Sequence, residues 1–149
     1  MIPALSGWVA LAQSDTTVGL LSQEAAGLNR LKGRRVDQPL IVTVRDFGML
    51  RGWLRTPTGS RSRIRRMRRT TIAYPQRVAI RVVSGDHARM LERIGWCFSS
   101  SANPTGGAFD ENWAKEQANL WCLSPEGFKS KPASKILRLT KGGRFVKLR

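Results

Sequence analysis

The sequence predicts a mixed α/β fold, a twisted sheet flanked by helices with one basic concave cleft. Three observations favour it. Short apolar runs alternate with amphipathic stretches, Pro- and Gly-containing turns separate them, and hydrophobic residues make up 41% of the chain. A chain of 149 residues with that apolar content builds one core, so we expect a single domain over residues 1–149.

The N-terminal half is expected to contain two strands and two helices. An apolar run over residues 7–12 predicts a buried strand, and apolar residues at helical spacing predict a helix over residues 20–31. The β-branched run over residues 39–44 predicts the second strand. Asp46 is a good N-cap, so a second helix is expected over residues 46–54.

The next segment is the most basic part of the chain. This segment, residues 51–69, has eight arginines and no acidic residue. The arginines are Arg51, Arg55, Arg61, Arg63, Arg65, Arg66, Arg68 and Arg69. Residues 56–60 have the composition of a loop. We expect a mobile or weakly helical loop over the cleft, because Ile64 and Met67 offer few apolar contacts for a core helix.

The C-terminal half again alternates strands and helices. Asp86 is expected to cap a helix over residues 86–94, and another helix is expected over residues 111–120. A period-two pattern on either side of residues 140–143 predicts a hairpin. The strands are expected over residues 70–74, 77–83, 96–98, 121–123, 135–139 and 144–148.

The charge balance is strongly positive. The chain has 26 Lys and Arg against 10 Asp and Glu, a formal charge of +16. An acid-poor chain of this kind indicates a polyanionic partner or ligand. The start of the chain lacks a cationic region before its apolar run, which argues against a secretory signal or a membrane span. We therefore expect a cytoplasmic protein that does not bind membranes.

Two cysteines and one histidine limit disulfide and metal chemistry. Cys97 and Cys122 lie in apolar runs, which indicates two buried thiols in a reducing compartment. His87 is the single histidine, and the sequence offers no complete zinc-binding set at motif spacing. No protein-held metal is predicted.

Three polar clusters could carry chemistry. The first, residues 13–20, is a hydroxyl-rich turn expected between a strand and a helix, where it suits a carboxylate or phosphate or is an ordinary capped turn. Lys32 and Arg34, at an exposed helix end, could hold a polyphosphate or merely complement the helix dipole. Residues 99–104 place three serines and Asn103 at a strand end, where they suit a sugar or phosphate or form a capping turn.

Taken in order, these clusters resemble the motifs of the YrdC/Sua5 threonylcarbamoyl-adenylate synthases. That family's pattern contains a Thr-rich turn ending in Gly-Leu, then Lys-x-Arg before a Pro-Leu strand, then Val-Arg with Asp-His, Ser-x-Asn, a Ser-Thr strand and a final Leu-Arg. The similar segments here are residues 13–20, 31–34 with 38–42, 80–87, 99–103, 133–136 and 148–149.

The sequence also departs from the family pattern. Gln13 replaces the leading proline, Val18 replaces the aromatic residue before the glycine, and Thr43 stands where histidine is frequent. Residues 68–71, Arg-Arg-Thr-Thr, replace a Pro-Gly-Pro-Thr stretch.

The resemblance implies a YrdC/RibB-like fold that makes threonylcarbamoyl-AMP and pyrophosphate from ATP, L-threonine and bicarbonate, for tRNA threonylcarbamoyladenosine modification. ATP and phosphate binding is implied for Lys32, Arg34, Thr71, Ser101, Asn103 and Arg149. L-Threonine binding is implied for Thr16, Thr43, Ser99 and Ser134. Mg²⁺ would be held mainly by phosphates, and proteins of the tRNA threonylcarbamoyl-transfer step are expected partners. Catalysis would come from positioning and charge compensation, with no catalytic side chain assigned.

The alternative is an RNA-binding protein that keeps the fold without the reaction. Its candidate contacts with tRNA or double-stranded RNA are Arg61, Arg63, Arg65, Arg66, Arg68 and Arg69. The same segment could instead close over the cleft as an active-site lid. A small basic structural protein of a ribosome-like particle is a third interpretation, and it does not account for the ordered motifs.

Overall fold

The computed structural model describes residues 7–149. The strands are β1 (Ala10–Gln13), β2 (Val18–Ser22), β3 (Ile41–Val44), β4 (Thr70–Ala73), β5 (Ala79–Val82), β6 (Trp96–Ser101), β7 (Leu120–Cys122), β8 (Lys135–Leu139) and β9 (Phe145–Lys147). The helices are α1 (Ala25–Leu31), α2 (Thr58–Arg66), α3 (Gly85–Ile94) and α4 (Glu111–Gln117), with a 3₁₀ helix at Phe47–Gly52.

All of these strands join one mixed sheet. Their order across it is β7-β1-β2-β6-β3-β5-β4-β8-β9. The pairs β1–β7, β3–β5 and β4–β8 are parallel, and the other neighbours are antiparallel. The predicted fold class, a mixed α/β sheet with flanking helices, is confirmed.

The strand register sorts side chains onto the two faces of the sheet, because successive residues of a strand point to opposite sides. One register row, on the face that carries the cleft, is Cys97, Thr43, Arg81, Thr71 and Ile136. The adjacent row, on the opposite or outer face, is Phe98, Val42, Ile80, Ile72 and Leu137. The first row is largely polar and the second is entirely apolar.

Helices cover the two faces unequally. On the outer face, Ile64 of α2 and Leu50 of the 3₁₀ helix pack in one cluster with Val42 and its neighbours. On the cleft face, α3 covers one end through Leu91, which packs with Cys97. The middle of the cleft face has no helix over it among the described residues, and this opening is the cleft.

The helix predicted over residues 20–31 is wrong in its first half. Leu20 and Leu21 belong to β2, between β1 and β6, and point to opposite faces of the sheet. Both are fully buried because each face is covered here: Leu20 packs with Leu28 of α1, and Leu21 packs with Leu91 of α3. The helix α1 begins only at Ala25. The hydroxyl-rich turn before β2 therefore connects two antiparallel strands and does not begin a helix.

The arginine-rich segment was predicted as a mobile or weakly helical loop over the cleft, and it is partly helical but does not lie over the cleft. Its residues 58–66 form α2, and Ile64 is only 6% exposed, in the apolar cluster of the outer face. The Ser60 hydroxyl donates to the carbonyl oxygen of Gly143 at 3.0 Å, which ties α2 to the β8–β9 turn. Because α2 lies on the opposite face of the sheet, it does not close over the cleft as a lid.

The remaining elements agree with the prediction apart from their ends. Asp46 caps the 3₁₀ helix by accepting from the Met49 amide at 3.2 Å, and the C-terminal hairpin forms as β8 and β9. Ser84, and not Asp86, is the residue before α3. The strand β6 continues to Ser101, so the serines lie within it and not beyond its end.

Two further expectations concern cysteine burial and membrane insertion. Cys97 is buried, but Cys122 is exposed on the edge strand β7, so the prediction of two buried thiols is wrong for Cys122. Residues 7–149 contain no helix that is long and apolar enough to span a bilayer. The cytoplasmic location stays a prediction.

Candidate active site in the central cleft

The cleft is a cavity of about 410 Å³ beside β6, β3, β5 and β8. Six of the residues predicted to bind substrates line it: Thr16, Arg34, Ser99, Ser101, Ser134 and Arg149. They come from five distant segments of the chain, so the fold brings together what the sequence keeps apart. Arg81 also lines the cleft, and no acidic side chain is among its lining residues.

One wall of the cleft is built by β6 and the segment after α1. Gly33 has a φ of +62°, a conformation that costs a glycine little, and it turns the chain directly after the helix. Arg34 then points back at the sheet, and its Nη1 donates to the Ser100 Oγ at 3.4 Å. The Arg34 guanidinium and the Ser99–Ser101 segment of β6 therefore line the same cavity.

Lys32 is adjacent to this wall but does not line the cavity. The residue is 4% exposed, and its Nζ donates to the carbonyl oxygen of Ser101 at 2.8 Å and to that of Asn103. It also lies over the ring of Trp113, 5.5 Å from the ring centre. Burial, with a smaller contribution from Arg34, lowers the pKa of Lys32 to about 8. The expected exposed helix end is wrong, because Lys32 ties α1 to the end of β6.

Asn103 likewise serves its own loop. Its Nδ2 donates to the carbonyl oxygens of Pro104 at 2.7 Å and Gly107 at 2.8 Å. The Thr105 hydroxyl donates to the Lys32 carbonyl oxygen at 2.7 Å. Asn103 is thus close to the cleft without lining it, and it stabilises the turn that receives Lys32.

The opposite wall comes from the C-terminal strands. The Arg149 guanidinium donates through Nε and Nη2 to the Ser134 carbonyl oxygen, each at 3.3 Å. The Ser134 hydroxyl shares a hydrogen bond of 2.8 Å with the Thr71 hydroxyl. Thr71 is fully buried, so it lies behind Ser134 and outside the cleft.

The floor of the cleft contains a buried charged pair, to which no role was assigned from the sequence. The side chains of Arg81 and Asp15 are 5% and 6% exposed, and Arg81 Nε lies 3.4 Å from Asp15 Oδ1. His87 Nδ1 lies 4.0 Å from the same carboxylate oxygen. The signals were present: an arginine inside the apolar run of β5, and an aspartate within the hydroxyl-rich turn.

Three buried polar atoms of this cluster make no hydrogen bond. Asp15 Oδ1, Arg81 Nε and His87 Nδ1 are all buried without a hydrogen-bond partner in the described structure. Burial raises the pKa of Asp15, and Arg81 partly offsets that shift. Burial and then Arg81 lower the pKa of His87 to about 3, so its imidazole is neutral at pH 7.

Thr43, predicted to bind threonine, lies beneath the floor. It is fully buried, and its hydroxyl donates to the carbonyl oxygen of Cys97 at 3.0 Å. The same hydroxyl lies 3.4 Å from Nε2 of His87. Thr43 therefore contacts the buried cluster and not the cavity itself.

The side chains of the cleft do not form a metal cage. Arginines and hydroxyl groups line the cavity, and within residues 7–149 no group of three His, Cys, Asp or Glu side chains is placed to hold a metal ion.

Comparison with known proteins identifies the fold. No protein-family model matches the sequence, and no curated protein matches it. A structure of P. abyssi Sua5 (H234A/Y235A) superposes with a TM-score of 0.79 and 19% identity, over 95% of this chain and 49% of that chain. P. abyssi Sua5 complexed with L-threonine gives 0.72 and 19%, over 97% and 50%. E. coli YciO gives 0.74 and 16%, over 96% and 82%.

These similarities show that the chain has a YrdC/Sua5-like fold, as the motifs predicted. The chain spans about half the length of the P. abyssi Sua5 structures. At this level of identity the fold is shared, and the chemistry has to be argued from the cleft.

Proposed function

We propose that this YrdC/Sua5-like domain makes threonylcarbamoyl-AMP and pyrophosphate from ATP, L-threonine and bicarbonate. The observation that supports this most strongly is the convergence of six family-like motif residues on one cleft of about 410 Å³. That volume lies within the range of small-molecule sites, roughly 300–1,000 Å³. A cavity between two cationic walls suits a ligand with several negative charges.

The charge of the cleft supports a polyphosphate substrate. Arg34 and Arg149 stand on opposite walls, Arg81 is at the floor, and no acidic side chain lines the cavity. Guanidinium groups bind phosphate oxygens through pairs of N–H donors. Arg34 and Arg149 would therefore hold the phosphates, with Ser101 beside the nucleotide. Lys32, Asn103 and Thr71 would support this site from behind, through the contacts described above.

The proposed reaction needs no side-chain nucleophile. The amine nitrogen of threonine bonds to the carbon of bicarbonate, water leaves, and a carbamate forms. A carbamate oxygen then bonds to the α-phosphorus of ATP, the bond to the β-phosphate oxygen breaks, and pyrophosphate leaves. The cleft would contribute by holding the reactants together and compensating phosphate charge, effects worth several kcal/mol.

The threonine side of the cleft is assigned to Thr16, Ser99 and Ser134. All three line the cavity, and Thr16 lies next to Asp15 at the floor. One of the similar structures, P. abyssi Sua5, is complexed with L-threonine, which supports an amino-acid subsite in a fold of this kind. Thr43 would act only indirectly, through the buried cluster beneath the floor. Mg²⁺ would enter with the phosphates of ATP.

The test is pyrophosphate release from ATP in an omission series. We expect release that requires both L-threonine and bicarbonate. Arg34→Gln should raise the KM for ATP about ten- to a hundredfold, because it removes one charge-assisted hydrogen bond to phosphate. The matched control is Arg35→Gln, because Arg35 is exposed and paired with Asp37 at 2.7 Å. Pyrophosphate release that does not depend on threonine would contradict the proposal. An equal change in the KM for ATP in the two variants would contradict it as well.

The alternative function keeps the fold and binds RNA without turnover. It is favoured by the six arginines between residues 61 and 69, which are exposed and form no ion pair within the described residues. Under this alternative the cleft could bind ATP, but the omission series would give no pyrophosphate.

The product of the proposed reaction would pass to the proteins that transfer threonylcarbamoyl to tRNA, which are therefore the proposed partners.

A further inference from the structure

The two edges of the sheet differ in charge. The strands β7 and β9 lie at its ends, and each has one side without a neighbouring strand in the described part of the chain. An edge strand exposes unpaired backbone groups, and charged side chains commonly keep a second chain from pairing with them. Residues 144–149, which contain β9, include Arg144, Lys147 and Arg149. Residues 117–125, which contain β7, include no charged residue, so this edge lacks that protection.

The unprotected edge is also apolar and exposed. Its residues are Leu120, Trp121, Cys122 and Leu123, and we call them the β7 edge. Leu120 is 52% exposed, Trp121 54% and Leu123 64%, and Cys122 is exposed as well. No other four consecutive residues among those described hold three exposed large hydrophobic side chains. Such a run indicates a surface that a protein partner covers.

The aromatic side chain of the β7 edge is already held in place. Trp121 Nε1 donates to the carbonyl oxygen of Lys115 at 3.2 Å, and the Lys115 Nζ lies 5.7 Å from the centre of the indole ring. The ring is therefore positioned against α4 before any partner arrives. Aromatic residues fixed in this way lose little conformational freedom on binding, and they are frequent at the centres of protein interfaces.

The backbone of β7 can pair with a copy of itself. The Leu120 amide donates to the Val9 carbonyl oxygen at 3.1 Å, in the parallel pairing of β7 with β1. Alternate residues of a strand direct their backbone groups to opposite sides, so the N–H and C=O of Trp121 point away from β1. In an antiparallel pair with a two-fold axis at Trp121, the two Trp121 residues would exchange both N–H···O bonds.

We propose that the β7 edge forms a symmetric dimer, in which β7 pairs antiparallel with β7 of a second copy of this chain. Side chains on both faces of β7 would then contact the partner strand, because the strands lie side by side. No residue of the β7 edge lines the cleft, so the proposal does not depend on the function proposed there.

The charge distribution favours a second copy as the occupant. Two chains of +16 repel each other, and at physiological salt that repulsion acts over about 8 Å, so contact is easiest where cations are absent. Along the chain, the first charged residues on either side of the β7 edge are Glu116 and Glu126, both exposed. Their carboxylates offset the positive charge of an approaching copy. A polyanionic partner or an anionic membrane would find no cation within residues 117–125.

The first experiment measures the mass of the protein in solution over a concentration series, by sedimentation velocity and without substrates. The edge variant is Leu120→Lys, Leu123→Lys, which places two cations on the β7 edge. The control is Val146→Lys, Leu148→Lys, which places two cations at exposed positions of the opposite edge. Circular dichroism monitors folding, and Leu123→Lys alone replaces the edge variant if that variant does not fold.

We expect a weak dimer that depends on the β7 edge. Its four residues per copy are fewer than the roughly 20–30 residues per partner of a standard interface. The wild type and the control should dimerise at roughly 100 µM, and the edge variant should have a dissociation constant at least about tenfold higher. Added salt should tighten the dimer, because it screens the repulsion between two chains of +16.

The second experiment tests the register through disulfide formation. An axis at Trp121 places residue 120 of one copy opposite Cys122 of the other, with Cα atoms about 4.5 Å apart, a distance that a disulfide can span. The two Cys122 Cα atoms would be about 8 Å apart, which is too far. Under mild oxidation, Leu120→Cys should therefore give a disulfide-linked dimer, whereas the wild type and Leu120→Cys, Cys122→Ser should not.

Four results would overturn the proposal. A wild type that stays monomeric up to roughly 300 µM would mean that no second copy covers the β7 edge. Equal dissociation constants for the wild type and the folded edge variant would place the contact elsewhere. Equal weakening in the edge variant and the control would mean that added charge alone opposes association. Equal disulfide-linked dimer from Leu120→Cys and from Leu120→Cys, Cys122→Ser would exclude the register centred on Trp121.

Discussion

Arg81 beneath the cleft and the arginines of α2 on the outer face differ in burial and in pairing. Arg81 is buried beside Asp15. On α2, Arg63 and Arg66 are exposed, and no ion pair among the described residues includes them. A buried charge depends on nearby polar groups, so its removal should affect folding. An exposed charge costs the fold little to remove and acts mainly on partners.

The largest expected effect is therefore that of removing Arg81. Arg81→Met leaves the carboxylate of Asp15 buried without its cation, which should lower the free energy of unfolding by about 3–5 kcal/mol in urea titrations. Adding Asp15→Asn should restore part of this stability. Arg66→Met on α2 is the exposed control and should change stability by less than about 0.5 kcal/mol. Similar destabilisation at the two arginines would remove the contrast between the faces.

The docking of α2 can be tested at its single large apolar residue. Ile64→Ala should cost about 2–4 kcal/mol of stability, because the side chain is buried among Val42, Leu50 and Ile72. Ser62→Ala, at an exposed position of the same helix, should be nearly neutral. Thermal and urea unfolding measure both variants. A near-zero effect of Ile64→Ala would support the mobile loop that the sequence suggested.

A variant of Lys32 distinguishes a structural role of this side chain from a role in phosphate binding. Lys32→Met removes the donor to the carbonyl oxygens of Ser101 and Asn103, and should destabilise the protein by about 2 kcal/mol. Arg35→Met, at an exposed position nearby, is the control. Unchanged stability together with a large decrease in ATP affinity would show that the Lys32 amine is available to phosphates after all.

A pH dependence of stability is expected from the buried cluster. His87 has a pKa of about 3 in the folded protein against 6.5 unfolded, so the unfolded chain binds the proton first. Its contribution to stability is complete above pH 6.5 and is lost as the pH falls from 6.5 towards 3, by at most about 1.4 kcal/mol per pH unit. The raised pKa of Asp15 has the opposite sign, since the folded state then binds its proton more readily.

The variant His87→Gln isolates the histidine contribution. Unfolding free energies measured between pH 4 and 7 should fall less steeply with acid in this variant than in the wild type. Parallel curves for the two proteins would mean that His87 gains a proton in the folded state at ordinary pH, which its burial opposes.

The fold was predictable from the sequence where one local pattern decided the outcome. The alternation in residues 135–148 predicts a hairpin, and β8 and β9 form it. The fold was not predictable where two structures fit the same residues: Leu20 and Leu21 suit a helix and also a strand buried on both faces. For α2, one buried isoleucine and the Ser60 hydrogen bond were enough to dock the helix, and neither interaction is visible in local spacing.

The sequence allowed us to predict which residues lie at the site, but not how their side chains are directed and paired. The order of the motifs identified residues that meet in the cleft, such as Arg34 and Ser101. The inward direction of Lys32 depends on carbonyl oxygens 69 and 71 residues further along the chain, which no local pattern encodes. The pair of Arg81 and Asp15 was missed for the same reason, because its partners come from distant segments and meet only in the folded sheet.

The most direct test of the proposed function is the identity of the product. The protein is incubated with ATP, L-threonine and ¹³C-bicarbonate, and the products are separated and identified by mass spectrometry. We expect a threonylcarbamoyl-AMP adduct that carries the isotope in its carbamoyl group, formed in equal amount with pyrophosphate. Unchanged ATP, or pyrophosphate without a labelled adduct, would contradict the proposed function.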